Sequence, residues 1–376
     1  MNFYKIIGKL SQYATPVLCF FISLWALYLR LQRFSGRKLW NDECYQLSFM
    51  TGPFQPFWER RIYGDFTCFP GDYLLNYPFL RIFGLHKVTQ PFSPMTSFDK
   101  WALIVPHILV TILGFYLLYL VCRRHLKTIY GYLIVFSVVG FNWQLIFHSL
   151  EFRPYAVLPT LALGVFYFVD IIINRGMQLS ILKKGLIGAF FVFTILFHQY
   201  GILIVFFILL YFLLSKAKEG YFQTEIKSAV KYFSAIFIIA LPPWLWYSLG
   251  SPDMGDIVRP TFEYFPNPLD TVAFLKSVFG NLIGRKELYF LLAGMIAAFM
   301  IPHKARYRQI GFFLILVILP IELVCVVDVY KKYWFLQRQF VWVMPLFAFL
   351  LGWCWDVLIF SLQERFKNAF ALSRRR

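Results

Sequence analysis

Apolar runs long enough to cross a lipid bilayer recur along nearly the whole chain. One spanning helix needs roughly 20 mostly apolar residues, or somewhat fewer when aromatic or snorkelling groups flank it. By that rule the sequence predicts about ten spans, at approximately 14–31, 101–121, 128–143, 154–173, 186–197, 199–214, 230–249, 288–302, 310–328 and 339–360. Charged residues make up only 15% of the chain, against roughly 25% in an average soluble domain. We therefore predict an all-α membrane protein.

The predicted spans follow one another without a linker rich in Pro, Gly or Ser and without a visible internal repeat, so residues 1–376 form one predicted domain. Two connections, 32–100 and 250–287, are too long to serve as simple turns. Both mix acids, bases, aromatics and prolines. In the first, an aromatic, amphipathic run after Asp72 is expected to form interfacial helices.

Basic residues set the predicted orientation. The basic segments VCRRHLK, NRGMQLSILKK, SKAKEGYFQTEIKSAVK, HKARYRQ and ERFKNAFALSRRR all fall on the side of the N-terminus. Lys and Arg concentrate on the cytoplasmic side of membrane proteins. Both termini are therefore expected in the cytoplasm, and both long loops outside it. The net charge of +18 is interpreted as a signal for insertion and lipid contact, and not for nucleic-acid binding.

Candidate functional residues lie on the predicted outer side. W-N-D-E places the adjacent carboxylates Asp42 and Glu43 just beyond the first span, and Asp65 follows in the same loop. An arbitrary pair of acids is usually solvated surface, but several carboxylates on one membrane-adjacent loop suit general-base chemistry.

Two shorter motifs and one late arginine add to these acids. In HSLEFRPYAVLP, Arg153 either neutralises Glu151 or binds an anion, since the planar guanidinium suits phosphate. In LFHQYG, His198 and Tyr200 belong to a predicted outer turn. They either contribute to the site on the outer side or have a purely structural role. Arg338 is one of several outer cations able to hold phosphate groups.

These motifs, in this order, resemble the membrane glycosyltransferases of the GT-C fold. The resemblance is carried by W-N-D-E, by the Asp65 to Tyr73 stretch ending in P-G-D-Y-L-L, by E-F-R-P-Y-A-V-L-P and by H-Q-Y-G. It is closest to the branch of protein O-mannosyltransferases and of aminoarabinose transferases that modify lipid A. It covers roughly residues 15–215, and beyond them L-Q-R-Q-F-V-W-V-M-P is similar to a degenerate late R-Y-x-x-P motif.

The resemblance implies a role for each matching residue. Asp42 would be the base that deprotonates an acceptor hydroxyl, which attacks a sugar carried on a polyprenyl phosphate with inversion, and Glu43 would support it. Asp65 would lie near the acceptor or a metal. Arg153, Tyr155 and Arg338 would lie near the donor phosphate, and His198 and Tyr200 would line the same cavity. The acceptor would be a lipid, glycan or protein. The protein would lie in the bacterial inner (plasma) membrane.

The sequence departs from the family where relatives often show H-P-P-L-Y-Y-L-L and this chain shows C-F-P-G-D-Y-L-L. The missing histidine leaves the acceptor and the metal open: a divalent cation is compatible with the loop acids but not required. A disulfide between Cys44 and Cys68, which share the outer side, also stays open. No phosphate-cradling motif such as G-x-x-x-x-G-K-[ST] is present for a nucleotide donor.

Three other functions are compatible with the sequence. A transporter or flippase of lipid-linked saccharides would rely on polar residues within the spans, where Glu322 is the main candidate. A non-catalytic scaffold subunit would tolerate neutralisation of every loop carboxylate. A ligase-type transferase would move a whole glycan and not a single sugar.

Overall fold

The structure, a computed structural model, describes most of the chain. The described residues are 3–51, 69–87, 96–175, 179–217, 225–249, 284–300, 305–324 and 337–373, with 280 and 282. They contain helices and no β-strand, which confirms the all-α prediction. Asp65, Cys68 and most of the predicted loop at 250–287 lie outside them.

The main α-helices of the described residues are numbered here in chain order. They are α1 Phe3–Ser35, α2 Asn41–Met50, α3 Pro70–Ile82, α4 Ser97–His125, α5 Ile129–Phe141, α6 Trp143–His148, α7 Leu158–Arg175, α8 Ile181–Ile195, α9 Gly201–Ala217, α10 Glu225–Leu249, α11 Arg285–Met300, α12 Ala305–Phe312 and α13 Val343–Ser373. A π-helical stretch, Phe313–Ile318, extends α12. Short 3-10 turns lie at Leu85–Lys87, Pro154–Ala156 and Gln337–Phe340.

Within the described residues, five helical segments are long and apolar enough to cross a membrane. They are Tyr13–Ser35, Asp99–His125, Ile226–Ser248, Tyr307–Val324 and Val343–Phe366. Shorter apolar segments occur at Ile129–Phe141, Leu158–Asn174 and Gly201–Lys216. The chain is thus a multi-pass membrane protein, while the count of ten spans and the orientation stay predictions.

Helix α5 packs against both α1 and α13, and charged side chains from these neighbours bind the backbone at both of its ends. At its N-terminus, Asp356 of α13 accepts hydrogen bonds from the N–H groups of Lys127 (2.9 Å) and Thr128 (2.7 Å). At its C-terminus, Arg30 of α1 donates to the carbonyls of Val139 and Gly140, both at 2.9 Å. An acid at the N-terminus and a cation at the C-terminus also complement the helix dipole.

The predicted outer loop at 32–100 contains helices α2 and α3, which lie between α1 and α4 in the sequence. Leu47 of α2 packs with Tyr73, Tyr77 and Leu80 of α3. Phe152, from the segment before α7, is buried in the same apolar cluster. This packing fixes α2 and its acid pair against the segment that carries Arg153.

Candidate functional site

Asp42 lies in the first turn of α2, where the partial positive charge of the helix N-terminus favours a carboxylate. Its side chain is 39% exposed, and its Oδ2 lies 2.5 Å from Nη2 of Arg338. The Arg338 side chain, in the 3-10 turn before α13, is only 13% exposed. The expected base is therefore accessible and is held by a partly buried guanidinium.

Glu43, the neighbouring acid, is buried, with only 1% of the residue exposed. Both of its oxygens bind Arg37, at 2.5 and 2.8 Å. Oε2 also accepts from the Trp40 N–H at 2.9 Å, and Oε1 accepts from the Phe152 N–H at 2.7 Å. Glu43 thus caps α2 and ties it to the segment before α7, while Asp42 alone of the pair faces outward.

Arg153, in the segment before α7, lies next to the backbone of Asp42. Because Pro154 follows it, its backbone is extended (φ −145°, ψ 151°), as steric clash with a following proline requires. Its Nη1 donates to the Asp42 carbonyl at 3.2 Å and lies 3.5 Å from Oε1 of Gln46. Arg153 is 6% exposed, so it forms the inner wall of the site.

Tyr155 connects the two arginines. Its ring centroid lies 5.7 Å from the Arg153 guanidinium and 5.5 Å from that of Arg338, both within the range of cation–π attraction. We call the four residues Asp42, Arg153, Tyr155 and Arg338 the Asp42 cluster. With one carboxylate and two guanidiniums it carries one excess positive charge, which favours an anionic ligand.

His198, in the turn between α8 and α9, lies behind Tyr155, with ring centroids 5.4 Å apart. Its Nδ1 accepts the Tyr200 N–H at 3.2 Å, so the neutral ring carries its proton on Nε2. Burial, and then the charge of Arg153, lower the pKa of His198 from 6.5 to about 3. The side chain is therefore a neutral part of the wall at physiological pH, not a cation for phosphate.

Tyr200 joins the same region to the chain before α13. Its hydroxyl donates to Oε1 of Gln339 at 2.7 Å, and its ring lies 5.6 Å from that of Phe340. This contact holds the 3-10 turn that carries Arg338. The structure thus brings Asp42, Arg153, Tyr155, His198, Tyr200 and Arg338 together from four separate parts of the chain; their roles stay predictions.

A chain of buried polar groups runs inward from Arg153. Gln46 lies next to Arg153 and donates to Oδ2 of Asp72. Oδ1 of Asp72 accepts from Asn76 at 2.9 Å, and Oδ1 of Asn76 lies 3.0 Å from Nε2 of His107. Because buried polar groups specify geometry when they are paired, this chain fixes the relative positions of α2, α3 and α4 beneath the site.

Sequence reasoning did not assign this chain to the site. The i, i+4 spacing of Asp72 and Asn76 places both on one face of a helix, and His107 stands within an apolar span, where polar residues are costly. Those two signals identify candidates. The contact through Gln46 has no sequence signature, because it depends on how α2 packs.

The sequence leaves open whether Arg153 neutralises Glu151, and in the structure the two residues make other contacts. Oε2 of Glu151 lies 3.0 Å from Nδ1 of His148, whereas Arg153 contacts Asp42 and Gln46. Glu151 is 2% exposed. Its role is local, next to the site and not within the Asp42 cluster.

The described residues contain no group of three or more His, Cys, Asp or Glu side chains arranged to hold a metal ion. Asp65, the expected second acid, falls outside them. Cys44 is buried and has no disulfide partner among the described residues, and Cys68, with which a disulfide stays open, lies outside them.

Comparison of the chain with protein-family models, with curated proteins and with solved structures gives no match.

Proposed function

We propose that this protein is a membrane glycosyltransferase. It would move a sugar from a polyprenyl-phosphate donor to an acceptor hydroxyl or phosphate at the extracytoplasmic face of the membrane. The observation that carries the proposal is the Asp42 cluster, in which the accessible carboxylate of Asp42 binds the guanidinium of Arg338 and the backbone carbonyl of Asp42 accepts from the guanidinium of Arg153. Such a transfer needs a base for the acceptor and cations for the departing phosphate. The cluster supplies both within one site.

The contacts support a division of labour. Arg153 is buried and held by the Asp42 carbonyl and Gln46, so it is suited to bind the donor phosphate in a fixed position. Arg338 is paired with Asp42. An arriving phosphate competes for Arg338, and that competition releases the Asp42 carboxylate to accept the proton of the acceptor.

The atoms of the reaction balance in this scheme. The acceptor oxygen forms a bond to the anomeric carbon as the bond from that carbon to the phosphate oxygen breaks. The acceptor proton goes to Asp42, and the electron pair of the broken bond leaves with the polyprenyl phosphate. Attack from the face opposite the leaving group gives inversion. Asp42 then returns its proton to water.

The test is sugar transfer from a panel of labelled polyprenyl-phosphate monosaccharides, in membranes holding equal amounts of folded wild type, Asp42→Asn or Asp99→Asn. Asp99 is a carboxylate near the start of α4, outside the cluster, where it pairs with Thr96. Since general-base catalysis contributes a factor of about 10² to 10⁴, Asp42→Asn should lose that much activity. Asp99→Asn should retain wild-type transfer.

Binding of polyprenyl phosphate, measured on the same samples, separates chemistry from affinity. Asp42→Asn should keep this binding, whereas Arg153→Gln should weaken it. Unchanged turnover in Asp42→Asn would eliminate Asp42 as the base and direct attention to Asp65. Absence of transfer by the wild type from every donor would overturn the enzyme proposal in favour of a transporter or scaffold.

One observation favours the transporter as a second candidate. Oε1 of Glu322 is buried without a hydrogen-bond partner among the described residues, and Glu322 lies in a span that contains a π-helical stretch. Intramembrane acids and π-helical stretches both occur often at functional sites. If the protein is a transporter, Glu322→Gln should abolish movement of a lipid-linked saccharide across a vesicle membrane, and Asp42→Asn should not. If it is a transferase, Asp42→Asn should abolish sugar transfer, and Glu322→Gln should affect it less.

A further inference from the structure

A small cavity of about 40 Å³ lies between the helices, outside the Asp42 cluster. Its walls come from α1, α4, α5, α6, α7 and α13, and from Ser149, which follows α6. Most of the lining side chains are apolar, and the polar ones are those of Arg30, Thr111, Ser149 and Thr160. None of the four residues of the Asp42 cluster lines the cavity, so the two features are separate.

Arg30 brings a buried positive charge to this wall. Only 2% of the residue is exposed, and it lies in the apolar segment Tyr13–Ser35, which is long enough to cross the membrane. Arg37 and Arg124 each bind a carboxylate, but Arg30 forms no salt bridge within the described part of the chain. A charge that is buried in the membrane without a counter-charge is costly.

Backbone carbonyls use only part of the Arg30 guanidinium. Nη1 donates to the carbonyls of Ala26 and Gly140, and Nη2 donates to the carbonyl of Val139. The last two carbonyls end α5, whose dipole offsets about half of one charge. Because a guanidinium has five N–H groups, one N–H of Nη2 and the N–H of Nε remain. Nε is buried and has no hydrogen-bond partner among the described residues.

Ser149 adds a second buried donor to the same cavity. The residue is 8% exposed, and its Oγ has no hydrogen-bond partner in the part of the chain that the structure describes. The hydroxyls of Thr111 and Thr160 already donate to backbone carbonyls, so Ser149 has the hydroxyl that is able to turn its hydrogen towards a ligand. Buried polar atoms without a protein partner often mark a bound water or ion.

Size and charge together favour a monoatomic anion. The cavity volume is about three times the ~10–15 Å³ that one water molecule needs, which suits one small ion better than a large polyatomic one. A water molecule would satisfy Nε of Arg30 and Oγ of Ser149, but it would leave the charge of the guanidinium without compensation.

We propose that this cavity binds a monoatomic anion of the size of chloride. Nε of Arg30 and Oγ of Ser149 donate to the ion, which neutralises the guanidinium between α1 and the end of α5. The proposal does not depend on the transfer reaction at the Asp42 cluster, and its test does not use sugar transfer as a readout.

The first arm of the test measures the melting temperature of the purified protein in phosphatidylcholine nanodiscs, in sodium chloride and in sodium gluconate of equal concentration. Gluconate is too large for the cavity and keeps the ionic strength constant. Arg30→Gln is compared with the wild type and with Arg33→Gln, which removes the same charge from the next turn of α1, outside the lining. Chloride should raise the melting temperature of the wild type and of Arg33→Gln, since a ligand of the folded state stabilises it. Arg30→Gln should lose most of that rise.

The second arm measures equilibrium binding of radiolabelled chloride to the same samples, with unlabelled bromide as the competitor. The wild type should bind chloride that bromide displaces. Ser149→Ala keeps the cation and removes only the hydroxyl, so its Kd for chloride should rise by at least about fivefold, the equivalent of one hydrogen bond. This variant also tests the proposal if Arg30→Gln does not fold, because Arg30 binds the end of α5 as well.

Three results would overturn the proposal. Equal effects of chloride on the wild type, Arg30→Gln and Arg33→Gln would show a general effect of salt. A wild type that binds no chloride would leave water as the occupant. A Ser149→Ala protein with wild-type affinity would show that the ion binds elsewhere.

Discussion

Oδ2 of Asp42 and Nη2 of Arg338 lie 2.5 Å apart, although 296 positions separate the two residues in the sequence. The pair joins the first helix of the predicted outer loop to the 3-10 turn that precedes α13. It also leaves the expected base bound to a cation. Arg338 is therefore expected to contribute both to phosphate binding and to the release of Asp42.

Replacing Arg338 tests this double role. Arg338→Gln should lower kcat for sugar transfer by about 10² to 10³, the usual effect of removing one group that stabilises developing charge. Arg338→Lys should recover only part of the loss, because an ammonium cannot bind two oxygens in the planar manner of a guanidinium. The measurement is transfer kinetics with varied donor, and Lys286→Gln, an exposed cation in α11, is the control. Wild-type kcat in Arg338→Gln would contradict the role.

We expect Glu43 to stabilise the fold, whereas Asp42 takes part in the proposed reaction. Glu43→Gln leaves Arg37 without its buried partner, and breaking a buried pair in this way typically costs about 3–5 kcal/mol. We expect a clearly lower melting temperature in detergent, with transfer per folded molecule reduced far less than in Asp42→Asn. Asp99→Asn is again the matched control. A Glu43→Gln variant that melts normally but does not transfer sugar would assign Glu43 to the chemistry.

The positions of the long helices were readable from the sequence, because each apolar run must satisfy its own backbone within the bilayer. The predicted spans 14–31 and 101–121 lie inside α1 and α4. Their boundaries were less readable. The run predicted at 128–143 divides at Asn142, whose side chain accepts from the Leu145 N–H at 3.0 Å and begins α6. The span predicted from 154 starts at Leu158, since Pro154 opens a 3-10 turn.

Within the site, residue types were predictable and contacts were not. Asp42, Arg153 and His198 stood out because charged or titratable groups at the mouth of a span need a reason to be there. Glu43 faces inward because its carboxylate accepts hydrogen bonds from the N–H groups of Trp40 and Phe152. Asp42, the neighbouring acid, then faces outward. Such tertiary contacts have no local sequence signature.

Acid should weaken the fold through His198. Because its pKa is about 3 in the folded protein and 6.5 in the unfolded chain, the unfolded state binds the extra proton between these values. The stability that it contributes is complete above pH 6.5 and falls progressively as the pH is lowered towards 3. The melting temperature should therefore drop below pH 6.5, and His198→Asn, whose side chain can still accept the Tyr200 N–H, should show a shallower drop. Identical pH profiles for the two proteins would contradict the assignment.

Gly71 should prove essential to the docking of α3, because no side chain fits at its position. Its N–H donates to the Leu196 carbonyl at 2.8 Å, and a Cβ there would lie 2.8 Å from Cα of Phe197. Gly71→Ala forces α3 away from the turn that carries His198, with an expected loss of about 1–3 kcal/mol.

Gly185→Ala is the matched control for this change. A Cβ at Gly185 meets nothing within 4 Å, and alanine is the better helix former by up to about 1 kcal/mol. Melting temperatures in detergent should therefore move in opposite directions in the two variants. Transfer should fall only in Gly71→Ala, since displacement of α3 also moves Asp72, which supports Arg153 through Gln46. A Gly71→Ala protein as stable as the wild type would show that α3 does not pack against this turn, and the proposed support of Arg153 would fail with it.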